Sequence, residues 1–197
     1  MSDIKNIEQH YSLDERPFLE KVRGFCQLVD DRYSPYLTDF LNPREIQIVE
    51  ELAHYYNLKF FVSSTPESEE YGRVILAPEY YELDDEDFEI KRLEISYARQ
   101  FNKLTHPKVL GALINQLGLD RQVFGDIILD EKGRVQFSIA SHLASYAIMT
   151  ITKIGNVSVT LKEVSKDDWI SNQENYSQSF VLLSSMRLDN VLATVLN

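Results

Sequence analysis

In the first part of the chain, apolar side chains recur every three or four residues, which is the spacing of one face of a helix. From residue 18 to residue 33 the apolar side chains follow an amphipathic period, which predicts a helix after Ser12. A second helix is predicted to open at Asn42, because an Asn cap, Pro43 at the first helical position and Glu45 at the third permit reciprocal capping. We expect a loop between these helices over residues 34–39. Two strands should follow the second helix, over residues 58–63 and 73–77. The first part is therefore predicted to be an α+β module that begins with two helices.

The second part of the chain shows the two-residue period of half-buried strands. The predicted strands cover residues 93–97, 126–130, 135–139 and 157–161. One helix starts at residues 105–107 and stops at Gly118, and another is capped by Ser141 and ended by Gly155. A turn at residues 131–133 joins the two middle strands. This β-α-β-β-α-β order predicts a ferredoxin-like plait, with two helices on one face of a four-stranded antiparallel sheet.

The net charge of −11 is distributed unevenly. Residues 1–87 carry a net −12, residues 88–165 a net +3 and residues 166–197 a net −2. The acidic peak at residues 82–87 is typical of a solvated loop, and the change in composition suggests that two domains meet near residue 85. We therefore expect an N-terminal α+β module over 1–87, the plait over 88–165 and a linker over 166–183.

Composition excludes several classes of protein. A single cysteine, Cys26, allows no intramolecular disulfide framework and no zinc or iron–sulfur site built on clustered cysteines. The four histidines lack metal-ligand spacing, and no nucleotide-binding or hydrolase motif is present. No apolar leader or 18-residue apolar run occurs. We thus expect a cytoplasmic protein without catalytic residues, metal or cofactor, in which Cys26 packs in a helix interface.

A four-stranded plait is a common platform for single-stranded RNA, whose bases stack on aromatic side chains of the open sheet face. Here the alternation places no aromatic on that face, because Tyr97 and Phe137 have the inward phase. The face is predicted to expose Arg92, Glu94, Ser96, Arg134, Gln136 and Ser138.

Any RNA would then be held through phosphates. The candidate contacts are Lys103, His106, Lys108, Arg121, Lys132 and Arg134. Each alone is ordinarily solvated, and only their clustering in one segment favours binding. Trp169 is interpreted as an anchor against a domain rather than a stacking residue.

Several stretches resemble a known family. Residues 185–193, Ser-Met-Arg-Leu-Asp-Asn-Val-Leu-Ala, resemble the opening of an S4 RNA-binding domain, which adds Arg187 to the candidate contacts. Residues 15–18, 37–45, 77–81, 110–113 and 124–127 resemble the YlmH family of Gram-positive bacteria. In that family an N-terminal module and a plait-like RNA-binding domain precede an S4 domain. Residues 184–197 are accordingly expected to be the incomplete start of that domain.

The resemblance also implies a function. It predicts a non-enzymatic RNA-binding protein on the ribosome, which acts on stalled large subunits with peptidyl-tRNA in ribosome-associated quality control. The implied partners are ribosomal RNA or tRNA and the large subunit, with no membrane. Two alternatives remain open: an RNA-modifying enzyme like the pseudouridine synthases, and a protein-interaction module linked to cell division.

Overall fold

The computed structural model describes residues 11–63 and 69–170. The expected S4 segment at 184–197, including Arg187, lies outside these residues. None of the helices in the described ranges has the length and apolar character needed to cross a membrane.

The first part folds as an α+β module. Its elements in chain order are α1 (Arg16–Arg32), β1 (Tyr36–Leu41), α2 (Pro43–Tyr55), β2 (Lys59–Val62) and β3 (Gly72–Ala77). The three strands form an antiparallel sheet in the order β1-β3-β2. Val22 is fully buried between the helices and this sheet, with Phe18, Phe25 and Ile46 packed against the same core. The predicted pair of helices is confirmed.

The predicted cap of α2 is present in full. The Asn42 side chain accepts a hydrogen bond from the Glu45 backbone at 2.9 Å, and the Glu45 carboxylate accepts one from the Asn42 backbone at 2.9 Å. Each residue thus satisfies an amide that the helix start would otherwise leave unpaired.

The loop predicted over residues 34–39 is wrong, because β1 occupies most of it. A register shift between Leu37 and Phe40 interrupts the pairing of β1 with β3. Such a bulge breaks the two-residue alternation by which a strand is recognised in sequence.

The second part is the predicted plait. It contains β4 (Ile90–Ser96), α3 (His106–Leu117), β5 (Phe124–Leu129), β6 (Val135–Ala140), α4 (Ser141–Thr150) and β9 (Thr160–Glu163). The sheet is antiparallel in the order β5-β6-β4-β9, so the first and third strands of the plait lie in its centre. Leu93, Ile95 and Phe137 are fully buried beneath the helices. The α+β class and the ferredoxin-like order are confirmed.

The last predicted strand is divided in two. β7 (Lys153–Ile154) and β8 (Val157–Ser158) form a small hairpin, and only β9 joins the main sheet, beside β4. Gly155 does not end the preceding helix, which stops at Thr150; it occupies the hairpin turn, where its φ of +59° favours glycine. This hairpin lies next to α3 and builds one wall of the site described below.

The two sheets make direct polar and apolar contacts. Arg73 on β3 is buried and donates hydrogen bonds to the carbonyl oxygens of Phe88 and Glu89 at 3.0 and 3.1 Å. The Tyr71 backbone donates to the carboxylate of Asp126 at 3.0 Å. A Cβ at Gly125 would lie 2.7 Å from the Phe40 ring, so glycine permits the N-terminal module to approach β5 this closely.

Candidate nucleic-acid interface

The sheet face expected to be open is closed. Arg92, Glu94, Gln136 and Ser138 are 3%, 6%, 0% and 1% exposed respectively. The prediction of an exposed polar face is therefore wrong, although the face is indeed polar. Phe40 of the N-terminal module lies over Gly125 from one side. Residues 165–170, which follow β9, cover the face from the other side.

Residues 165–170, which we call the strap, are fixed by the polar side chains of the sheet. The Gln136 side chain donates to the Asp168 carbonyl and accepts from the Ile170 backbone, both at 2.9 Å. Arg92 donates to the Ile170 carbonyl at 3.1 Å. The Trp169 ring contacts the Arg92 guanidinium, as expected of an anchor. Polar residues on this face thus bind a segment of the same chain.

Arg92 is held at the junction of three parts of the protein. It forms an ion pair with Glu69, donates to the Ser138 hydroxyl at 3.2 Å and lies over the ring of Trp169. Burial lowers the pKa of Arg92 to about 10, while the carboxylate of Asp126 acts in the opposite direction. The residue remains a cation near neutral pH, and its neighbours are those of a structural cation rather than of a ligand contact.

Glu94 neutralises two arginines at the edge of this face. Its carboxylate lies 3.0 Å from Arg134 and 3.3 Å from Arg99. Burial would raise the pKa of Glu94, but hydrogen bonds from Gln136 and Arg134 outweigh it and the pKa is lowered. Arg134, a predicted RNA contact, is consequently engaged within the protein.

The pairing register places opposite charges at opposite ends of the plait. Ile90 pairs with Ala140, and Ile95 pairs with Val135 at the other end of β4. The acidic segment 82–89 precedes Ile90, and the loops at 97–105 and 130–134 lie beyond Ile95. These loops carry a net positive charge, with Arg99, Lys103, Lys132 and Arg134 against Asp130 and Glu131. A strand of this length separates the two ends by about 20 Å. We call the end beyond Ile95 the basic end.

The predicted cations divide between the two ends. Lys103, His106, Lys108 and Lys132 are exposed at the basic end. Among the described residues no carboxylate pairs with Lys103 or Lys108. Arg121 instead follows the C-terminus of α3, where its guanidinium lies 4.1 Å from the centroid of the Tyr71 ring and donates to the Phe124 carbonyl. The six residues of the plait segment therefore do not form one patch.

A groove opens at the basic end between α3 and the β7–β8 hairpin. It has a volume of about 500 Å³. The residues that line it are Lys103, Leu104, Lys108, Gly111, Ala112, Asn115, Gln116, Ile154, Gly155, Asn156 and Val157. No acidic residue is among them. Gln116 donates to the Lys153 carbonyl at 2.7 Å, which ties the hairpin to the helix.

Phe101 is the aromatic residue that sequence reasoning missed. It is 85% exposed, in the loop between β4 and α3 and two residues before Lys103. RNA recognition motifs carry their stacking aromatics on the sheet face, and the alternation that identifies such positions does not extend into a loop. The available signal was a phenylalanine between Arg99 and Lys103 in a polar loop.

The described residues offer no metal centre and no activated thiol. No three of their His, Cys, Asp and Glu side chains are grouped so as to hold an ion. Cys26 is fully buried on α1, and burial raises the pKa of its thiol to about 11. This is the environment of a packing cysteine, as the sequence predicted.

Comparisons with known proteins agree on one relationship. Residues 84–168 match the family model described as "Putative RNA-binding domain in YlmH". "Ribosome-associated protein quality control protein P2" of Bacillus subtilis (strain 168) is 32% identical over 192 residues, which are 98% of this chain and 74% of the relative. The solved structure of "Cell division protein ylmH from Streptococcus pneumoniae" is 40% identical, with a TM-score of 0.73 over 82% of this chain and 98% of that chain.

Proposed function

This chain belongs to the YlmH family, as its sequence resemblance predicted, and from that premise we propose that it binds RNA on the ribosome without catalysing a reaction. The observation that carries the proposal is the match of residues 84–168 to a family model described by RNA binding. The basic end lies within those residues. The name of the Bacillus subtilis relative further supports ribosomal association and a cytoplasmic location.

In finer terms, we propose that the protein acts on large ribosomal subunits that retain peptidyl-tRNA. This step rests on the quality-control name of the relative and on the resemblance to its family. The RNA ligand would accordingly be ribosomal RNA or the tRNA itself.

Lys103, Lys108 and Lys132 are the proposed phosphate contacts, with His106 beside a phosphate at the start of α3. Their exposure at one end, away from the acidic residues 82–89, supports a polyanionic ligand. Phosphate contacts supply most of the non-specific affinity for nucleic acid and make it salt-dependent. In a chain with a net charge of −11, lysines that pair with no carboxylate of the described residues are where such contacts can form.

The test is sedimentation of the protein with purified bacterial large subunits, either vacant or carrying peptidyl-tRNA, over a range of salt concentrations. Lys103→Glu combined with Lys108→Glu should lower affinity and reduce the salt slope by about two. The control, Arg16→Glu combined with Lys21→Glu, makes the same change in charge on the exposed surface of α1 and should leave binding intact.

An equal loss of affinity in both double variants would show that binding depends on net charge alone and not on these lysines. Absence of binding by the wild-type protein to either form of the large subunit would refute the proposed function. A preference for vacant subunits would refute the finer proposal only.

A further inference from the structure

We propose that the groove between α3 and the β7–β8 hairpin binds an unpaired RNA segment, with its phosphates on Lys103 and Lys108 and a base stacked on Phe101. This inference rests on the proposed RNA-binding function and specifies the form of RNA and the place where it binds.

Gly111 gives the first argument for a ligand in the groove. It lies in the middle of α3 and lines the groove, and a Cβ at this position would meet no atom within 4 Å. The packing of the protein therefore does not require glycine here. Glycine in a helix interior is destabilising relative to alanine, but it permits close approach of a ligand to the backbone. Open space over a helical glycine is not sufficient by itself, since Gly24 on α1 has it too. Gly111 points to a ligand because it also lines a groove that contains Lys103 and Lys108.

Gly125 provides the contrast within the same domain. A Cβ there would lie 2.7 Å from the Phe40 ring and 2.9 Å from the Ser138 Cβ. Packing thus accounts for Gly125, whereas the space over Gly111 is open to the groove.

The charge of the groove defines its occupant. Lys103 and Lys108 line it, and no acidic side chain does, in a chain with 31 acidic residues. The amides of Asn115, Gln116 and Asn156 add polar groups to the rim, and Leu104 and Ile154 add apolar surface to the lining. A polyanion that also presents flat, partly apolar groups fits this combination, and nucleic acid has both properties.

The shape of the groove favours an unpaired strand over a duplex. A rigid A-form helix is recognised by its outer shape and its phosphates, whereas an unpaired strand can follow a cleft and turn out a base. About 500 Å³ lies within the range of clefts that bind small organic ligands. The volume of the groove is therefore sufficient for one or two nucleotides.

Phe101 supplies the stacking surface that the sheet face lacks. Its ring is exposed in the loop that leads into α3, and the next charged residue along the chain is Lys103. An aromatic ring beside cations is the usual arrangement for binding single strands, because every base has a face that can stack. The proposal thus moves base contact from the covered sheet to the loop and helix at the basic end.

The experiment compares Gly111→Ala with Gly24→Ala. Gly24 is also inside a helix with no atom within 4 Å of a Cβ, but it lies on α1. Both variants should raise the melting temperature, by roughly 1–4 °C. Only Gly111→Ala should weaken binding, because the added methyl group would stand where the strand approaches the helix backbone. Binding is measured by fluorescence anisotropy with a labelled ten-nucleotide oligouridylate and, in parallel, with an RNA hairpin that is fully paired in its stem.

A second pair of variants separates stacking from charge. Phe101→Ala should lower affinity for the oligouridylate roughly 5- to 150-fold while leaving the salt slope unchanged. Lys103→Ala should lower the slope by about one. Tyr33→Ala removes another exposed aromatic, in the N-terminal module, and should have no effect on binding.

The proposal is overturned if both Gly111→Ala and Phe101→Ala bind the oligouridylate as the wild type does, or if the wild type binds only the paired hairpin. In those cases a loss of subunit binding by the Lys103 and Lys108 double variant would leave the proposed function standing. Failure of the wild type to bind either form of the large subunit and both oligonucleotides would overturn both proposals.

Discussion

The guanidinium carbon of Arg92 lies 4.2 Å from the centroid of the Trp169 ring, on a sheet face that would otherwise be open to solvent. Arg92 comes from the central strand β4, and Trp169 comes from the strap beyond the edge strand β9. The contact therefore closes the face with a segment that is 77 positions later in the chain.

Trp169→Ala should destabilise the protein by roughly 1–3 kcal/mol, because a desolvated cation–π contact and the packing of a large ring are both lost. Urea unfolding measures this change. Trp169→Phe keeps a ring over Arg92 and should therefore lose less stability than Trp169→Ala. Trp169 is the single tryptophan of the chain, so its fluorescence reports directly on release of the strap. An unchanged urea midpoint in Trp169→Ala would show that the strap adds nothing to stability.

The cap of α2 gives a matched pair of substitutions. Asn42→Ala should cost about 1 kcal/mol, because it removes the acceptor for the Glu45 amide. Thr105, at the same position before α3, makes no such hydrogen bond, so Thr105→Ala should cost clearly less. Chemical denaturation of the two variants provides the comparison. Equal losses would contradict the role assigned to the reciprocal cap.

The carboxylate of Glu15 predicts a specific dependence of stability on acid. A hydrogen bond from Arg44, at 2.6 Å, and others from Ser12 lower the pKa of Glu15 to about 2. The folded pKa is depressed, so this contribution is fully present above the ordinary value near 4.5 and is lost as pH falls from there to about 2.

Nuclear magnetic resonance titration of the Glu15 carboxyl should give a midpoint near 2 in the wild type. In Arg44→Gln the midpoint should move upward, towards the ordinary value. Glu15→Gln should in turn make the urea midpoint less sensitive to pH below about 4.5. A wild-type midpoint at the ordinary value would rule out this ion pair in solution.

Cys26 should behave as a reporter of unfolding. Its thiol is fully buried, and burial raises its pKa to about 11. The native protein at pH 8 should therefore react with a disulfide reagent only as fast as the α1 interface opens, whereas denatured protein should react at once. Rapid stoichiometric labelling of the native protein would be inconsistent with this packing.

Local patterns predicted the elements whose residues interact with near neighbours in sequence. The cap at Asn42 and Glu45 involves residues three apart, and it is present as expected. The inward phase of Tyr97 is also confirmed, since it packs against the core and its hydroxyl donates to the Gly133 carbonyl at 2.9 Å. Such features can be predicted because the residues that determine them lie close together in the sequence.

Features that depend on distant segments were not predictable in this way. The alternation around Arg92 correctly separates its face from the core, but it contains no information on what covers that face. Glu69, Phe40 and Trp169 come from three other parts of the chain. The groove beside Gly111 likewise depends on the β7–β8 hairpin. The predicted strand over residues 157–161 contains only β8, and β7 lies in the segment that was predicted as a helix ended by Gly155.

The separation of charge along the plait has a kinetic consequence. Acidic residues at one end and uncompensated lysines at the other give the domain an electric dipole along its strands. In the field of a polyanion this dipole of the plait favours orientations in which α3 and its preceding loop lead and residues 82–89 trail. Such steering raises the fraction of encounters that arrive correctly oriented, and it weakens as salt is added. For the proposed RNA ligand, the encounter of a protein with a net charge of −11 would then depend on the arrangement of its charges as well as on their sum.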